Sequence, residues 1–164
     1  MNRTRQVIKV SSKTTLAELL QSFLDSDQDL VFLDENTVIT DPHLELLTDF
    51  PRAASAALVG KDENFADTRV VKNSVVSAGS ASHTVTSPNR IFTGVLYLSQ
   101  KQRPEIEKAA AEAIASKATG HALDLALVAL VRATIRVDAV ELLEAPFVRS
   151  AESDRREKTT KQIQ

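Results

Sequence analysis

Asp29–Leu47, DLVFLDENTVITDPHLELL, is the stretch whose reading decides the fold. Four apolar residues, Leu30 to Leu33, stand between acids and predict a short strand buried on both faces. Asp34, Glu35 and Asn36 follow together where the chain leaves that strand. A second apolar pair, Val38 and Ile39, leads to Asp41, which can cap a helix whose first turn carries Pro42. The reading is therefore strand, acidic tip, helix. In open α/β sheets ligands bind at the carboxyl ends of strands, and hard oxygen donors there suit a divalent cation. The same three residues also read as an ordinary solvated acidic loop.

Working outward, Arg5 to Val10, RQVIKV, is rich in β-branched residues and predicts a first strand. Leu16, Leu19, Leu20, Phe23 and Leu24 then recur at helical spacing, and Thr14 or Thr15 with Glu18 has capping-box character. Together with the strand at Leu30 this is a β-α-β unit, whose crossover is expected to be right-handed. Downstream, a helix over His43 to Thr48 is stopped by Pro51, and Ala53 to Val59 supplies a third parallel strand. Arg69 to Val76 and Thr84 to Thr86 flank Ser77 to Ser80 and predict a hairpin or small β insertion. Gly94, near the centre of the strand IFTGVLYLS, points to a bulge or a close backbone approach. Pro104 to Ala118 reads as a helix ending near Gly120, Leu123 to Val131 as another, and Thr134 to Leu142 as a last strand. The expected fold class is α/β, a three-layer α/β/α arrangement on a mostly parallel sheet with a small β-hairpin insertion. Residues 1–150 form one domain, closed by Pro146 to Arg149; residues 151–164, with nine charged or amide residues, form a charged tail or linker.

Composition narrows the function. A chain of 164 residues with 43% hydrophobic content can bury its own core. Twenty basic against 22 acidic residues leave a net charge of −2, and aromatics are 4% without Trp, so no nucleic-acid partner is expected. The absence of cysteine removes disulfides, thiolate metal sites and cysteine nucleophiles, and suits a cytoplasmic setting. Neither a bilayer-spanning run nor a signal-peptide core occurs. The four glycines are too scattered to build a phosphate-cradling loop.

Other candidate groups carry two readings each. Asp124 can bring a carboxylate to the ligand edge of the sheet or cap the helix that begins at Ala122. His43, His83 and His121 belong to no metal-binding repeat. His83 lies beside Ser80 and Ser82, yet no nucleophile elbow or paired acid makes a triad. Asn89 and Arg90 can contact a base or sugar, while Pro88 and Asn89 are also ordinary turn formers.

The order of these pieces resembles the latter portion of glycosyltransferase-A-like nucleotidyltransferases, over about residues 29 to 149. More specifically, VFLDENTVITDPHLELL (31–47), VVSAGSASHTVTSPNRIFTGVL (75–96) and ALDLALVALVRA (122–133) resemble a cytosolic domain attached to actinobacterial CDP-alcohol phosphatidyltransferases. The resemblance implies a truncated nucleotidyltransferase-like fold, a nucleotide partner, and magnesium or manganese held by Asp34 with Asp124 as the late acid. The candidate ligand contacts read from the residues are Asp34, Glu35, Asn36, His83, Asn89, Arg90 and Asp124, and of these the resemblance carries over Asp34 and Asp124. It further implies a membrane-embedded phosphotransferase domain in the same chain, which would hold this domain at the inner face of the membrane, and it allows a homodimer. One departure weighs on activity. Active members open with a glycine-rich strand-to-helix loop, L-x-x-G-x-G-x-R, whereas VIKVSSKTTLAELL (7–20) stands at the matching place without a glycine. Ser11, Ser12 and Lys13 can still meet a phosphate at a helix N-terminus. Two functions are thus expected: a non-catalytic or regulatory domain of phospholipid synthesis with no catalytic residue of its own, or a metal-dependent nucleotidyltransferase making a CDP- or NDP-activated alcohol.

Overall fold

The computed structural model describes residues 6–48, 53–62, 65–142 and 148–149. The elements run β1 (Gln6–Val10), α1 (Leu16–Leu24), β2 (Leu30–Asp34), β3 (Thr37–Val38), α2 (Asp41–Thr48), β4 (Ser55–Gly60) and β5 (Thr68–Val71). There follow β6 (Ser74–Ala78), β7 (Ile91–Leu98), α3 (Arg103–Ser116), α4 (Ala122–Arg132), β8 (Val137–Glu141) and β9 (Val148–Arg149).

Seven strands form one sheet in the order β1-β2-β7-β4-β8-β6-β5, and β3 pairs with β9 in a separate two-stranded ribbon. β1 with β2 and β4 with β8 are parallel, while β7 is antiparallel to both β2 and β4, and β6 to both β8 and β5. Five strands therefore share one direction and β6 and β7 oppose it. The three strands read as parallel do point the same way, but β4 does not neighbour β2: β7 is inserted between them. Its eight residues are buried throughout, so an inner strand of the sheet is one that arrives late in the chain.

Two apolar layers sandwich the sheet. On one face α1, α3 and α4 pack Leu19, Phe23, Ile106, Ala110, Leu123 and Leu127 against the sheet residues Phe32, Ala57 and Leu96. On the other, Leu47 and Leu44 of α2 lie with Val31, Leu58, Val95 and Tyr97. This is the expected three-layer architecture, lopsided toward the three-helix face. α1 starts with the anticipated capping box: Thr15 Oγ1 accepts from Glu18 N at 3.1 Å while the Glu18 side chain returns to Thr15 N. α2 begins one residue earlier than expected. Asp41 is its first residue, and the Thr40 carbonyl accepts from His43 N and Leu44 N.

The hairpin differs from the sequence expectation in its tip. The turn is Lys72-Asn73, with φ of 51° and 62°, the left-handed pair a type I′ turn requires. Asn occupies one of those positions readily, a signal that lies outside the expected tip at Ser77 to Ser80. Thr84 to Thr86 is not a strand. Gly94 does mark a bulge. Pairing of β7 with β4 jumps from Leu58↔Val95 to Val59↔Phe92, leaving Thr93 and Gly94 extra, and Gly94 has φ 88°. Lys117, not Gly120, takes the left-handed position that ends α3. The charged tail 151–164 and Pro146 lie outside the described residues.

Candidate functional site

Asp34 ends β2, where Val10 is its register partner on β1 and the Thr93-Gly94 bulge of β7 lies on its other side. The bulge is stapled twice. Thr37 Oγ1 donates to the Thr93 carbonyl at 2.8 Å, and Thr93 Oγ1 donates to the Leu58 carbonyl at 2.8 Å. These bonds fix the strand ends around a carboxylate that is fully buried.

The Asp34 side chain is engaged from two directions. Oδ1 accepts from Asn36 N at 3.0 Å, an Asx turn that shapes the acidic tip, and Glu35 N donates to the Val10 carbonyl at 3.0 Å. Oδ2 faces His121 Nε2 at 3.5 Å. His121 caps α4, its Nδ1 accepting from Leu123 N at 3.1 Å. An acceptor Nδ1 fixes the tautomer with the proton on Nε2, so the imidazole N–H is the group turned toward Asp34. Asp124, also buried, sits in the first turn of α4, where the helix dipole favours a carboxylate. The α3–α4 turn thus brings His121 to the end of β2. Glu35 is exposed and Asn36 half-buried on the tip.

His121 is the residue that sequence reading passed over as a site component. Its signal is local: a polar ring directly before an apolar helix with an acid three residues on, the cap position of HALD.

The remaining predicted residues lie elsewhere. Asn89 Oδ1 accepts from Val70 N at 2.8 Å and its Nδ2 donates to the Val70 carbonyl at 2.9 Å, so the amide acts as a strand partner for β5. Arg90 ion-pairs with Glu141 through Nε and donates to the Asn89 carbonyl at 2.8 Å. His83 lies in the turn after β6, with Nδ1 2.6 Å from Ser80 Oγ. Its pKa is lowered, first by burial and then by the Arg132 guanidinium. The structure therefore brings His121 to Asp34, sets Asn36 on the tip beside Asp34, leaves Asp124 buried in the first turn of α4, and ties Asn89 and Arg90 into the β5–β7–β8 framework.

Magnesium typically takes one or two protein carboxylates and completes its shell with water and phosphate oxygens, which requires carboxylate oxygens open to ligand. Asp34 has no exposed surface; its Oδ1 accepts from Asn36 N, and its Oδ2 lies 3.5 Å from His121 Nε2. Among the described residues no three His, Cys, Asp or Glu side chains converge to hold a metal ion.

The turn between β1 and α1 is likewise closed on itself. Ser11 N donates to Thr14 Oγ1, Lys13 N to Ser11 Oγ and Thr14 N to the Ser11 carbonyl, each at 3.1 Å. Thr15 N turns to Glu18 Oε1 at 3.4 Å, with the Thr15 hydroxyl donating to the same oxygen at 3.0 Å. The amides of Ser11, Lys13, Thr14, Thr15 and Glu18 are taken up within this turn, and an acid sits among them.

No known family profile matches the chain, and no curated protein matches it in sequence. Solved structures do match its fold. The inositol-1-phosphate CTP transferase from T. maritima has a TM-score of 0.59 at 16% identity, covering 88% of this chain and 60% of that one. The CTP:phosphocholine cytidylyltransferase from Streptococcus pneumoniae has a TM-score of 0.59 at 13% identity, covering 93% and 65% respectively. A UTP-bound UGPase from Acinetobacter baumannii has a TM-score of 0.51 at 11% identity, covering 89% and 54%. The chain thus spans 60 to 65% of the length of the first two. The fold is that of the nucleotidyltransferases, over part of their length.

Proposed function

We propose that this chain is a nucleotidyltransferase-like cytosolic domain that transfers no nucleotide itself and has a regulatory or docking role in a larger membrane CDP-alcohol phosphotransferase of phospholipid synthesis. The observation that carries the first part is that the chain's own groups fill both places where nucleotide chemistry is expected. At α1 the capping box and the Ser11–Thr14 bonds take up the amides of Ser11, Lys13, Thr14, Thr15 and Glu18, and the Glu18 carboxylate repels an incoming phosphate. At β2 the Asp34 carboxylate is turned inward to Asn36 and His121. A triphosphate would have to break the cap, costing about 1 kcal/mol, before any favourable contact formed. Without a positioning loop, the part of the barrier that orientation can remove stays in place.

The membrane partner rests on the resemblance of segments 31–47, 75–96 and 122–133, with the charged residues 151–164 as the join. Among the described residues no helix is long and apolar enough to cross a membrane, so such a span would have to lie elsewhere in the protein. The competing reading, a metal-dependent nucleotidyltransferase, draws on the CTP- and UTP-handling neighbours and requires Asp34 to turn away from His121.

Two tests separate these readings. Incubated with CTP, magnesium and phosphorylated alcohols, the chain is expected to release pyrophosphate no faster than buffer; sustained release lost in Asp34→Asn contradicts the non-catalytic reading. For the tether, the full-length gene product is expected to continue past residue 164 into apolar spans of about 20 residues. A coding sequence without them removes the phosphotransferase partner.

A further inference from the structure

The helical layer contains a cleft of about 240 Å³ that includes neither Asp34 nor the β1–α1 turn in its walls. Its floor is made by Ala109 and Ala113 of α3 with Leu125 and Ala129 of α4. Alanine at three of these positions is what creates the space, because a larger side chain at any of them would fill it.

Polar groups converge on its rim. Arg132, the last residue of α4, and Glu112 of α3 form no hydrogen bond or ion pair among the described residues, although both line the cleft. His83 lines it too, its ring anchored at Nδ1 by Ser80 Oγ, 2.6 Å away. That leaves Nε2 as the ring nitrogen able to meet a ligand. Arg132 acts on His83 electrostatically, which places guanidinium and imidazole within each other's field. Ser80 and His83 do not make a hydrolytic pair: Ser80 Oγ also accepts from Ser82 N at 3.0 Å, and among the described residues no acid is bonded to the ring. An apolar floor with a few convergent polar groups is the pattern of a small-molecule site.

We propose that this cleft binds a small amphipathic anion, with a short apolar chain on the alanine floor and a single carboxylate or phosphate head held by Arg132 and His83. A guanidinium meets either head through paired N–H groups, and the His83 ring supplies a further polar contact. Glu112 disfavours the head near α3 and so gives the ligand one orientation. The inference is independent of nucleotide handling at Asp34.

The test is an amide NMR titration of the whole chain with hexanoate and with hexyl phosphate, using hexanol and inorganic phosphate as controls. Both amphiphiles are expected to shift Ala109, Ala113, Leu125 and Ala129 saturably below about 10 mM, with each control at least tenfold weaker. Whichever amphiphile binds more tightly identifies the head group. Arg132→Gln, at an exposed helix end, is expected to weaken both about tenfold without loss of fold. Ala129→Leu, which fills the floor, is expected to abolish binding. The absence of saturable shifts, hexanol binding as tightly as hexanoate, or unchanged affinity in Arg132→Gln would each overturn the proposal.

Discussion

His121 and Asp34 face each other across the junction of α4 and β2, Nε2 to Oδ2 at 3.5 Å, with 8% and none of their side chains exposed. The histidine serves two elements at once, capping α4 through Nδ1 and presenting Nε2–H to the buried acid. His121→Ala removes both contacts. It is expected to cost about 1–3 kcal/mol in urea unfolding at unchanged m-value, and His121→Asn, which keeps a capping oxygen, about half of that. Equal losses in the two variants would show that the cap contributes nothing.

Thr15 closes the β1–α1 turn. Thr15→Ala deletes the hydroxyl that accepts from Glu18 N and is expected to lower stability by about 1 kcal/mol in the same assay. A neutral result would mean that the turn is not held by its capping box, removing half the basis for calling the phosphate position closed.

His83 gives a pH signature. Its folded pKa lies below the ordinary 6.5, so the unfolded chain binds the proton more readily. The stabilisation is fully present above about pH 6.5 and is lost as pH falls from there through the folded value. Proton NMR of the His83 ring should therefore show a midpoint below that of an unfolded-peptide reference. Because Arg132 is the second cause after burial, Arg132→Gln should raise the midpoint part of the way back. A midpoint unmoved by that variant would separate Arg132 from the ring.

Gly94 carries the bulge beside Asp34 at φ 88°, where a Cβ is strained. Gly94→Ala is expected to cost about 1–3 kcal/mol, read as a lower midpoint of urea unfolding. An unchanged midpoint would indicate that the bulge tolerates an ordinary residue.

Much of this fold is legible in the sequence because each element announces itself locally. The Thr15–Glu18 box, the apolar run at Leu30 and the misplaced-looking Gly94 all state their structure within a few residues. Strand order is not local: nothing in IFTGVLYLS says that it lies between β2 and β4. Its burial on both faces is compatible with any central position, and the pairing is set by long-range packing of Leu96 and Tyr97 into opposite layers. The acidic tip at Asp34 was visible, but its internal partner was not, since His121 is 87 positions away and depends on where α4 begins. Asn89 and Arg90 looked like ligand contacts because an amide and a guanidinium serve a neighbouring backbone or carboxylate equally well.

Calorimetry of the chain with CTP and magnesium tests the central claim most directly. With the amides of Ser11, Lys13, Thr14, Thr15 and Glu18 taken up in the β1–α1 turn and Asp34 facing His121, no saturable heat is expected up to about 1 mM nucleotide, the upper end of ordinary substrate affinities. Saturable, magnesium-dependent heat that disappears in Asp34→Ala would contradict it, and would identify Asp34 as a working ligand of the nucleotide site.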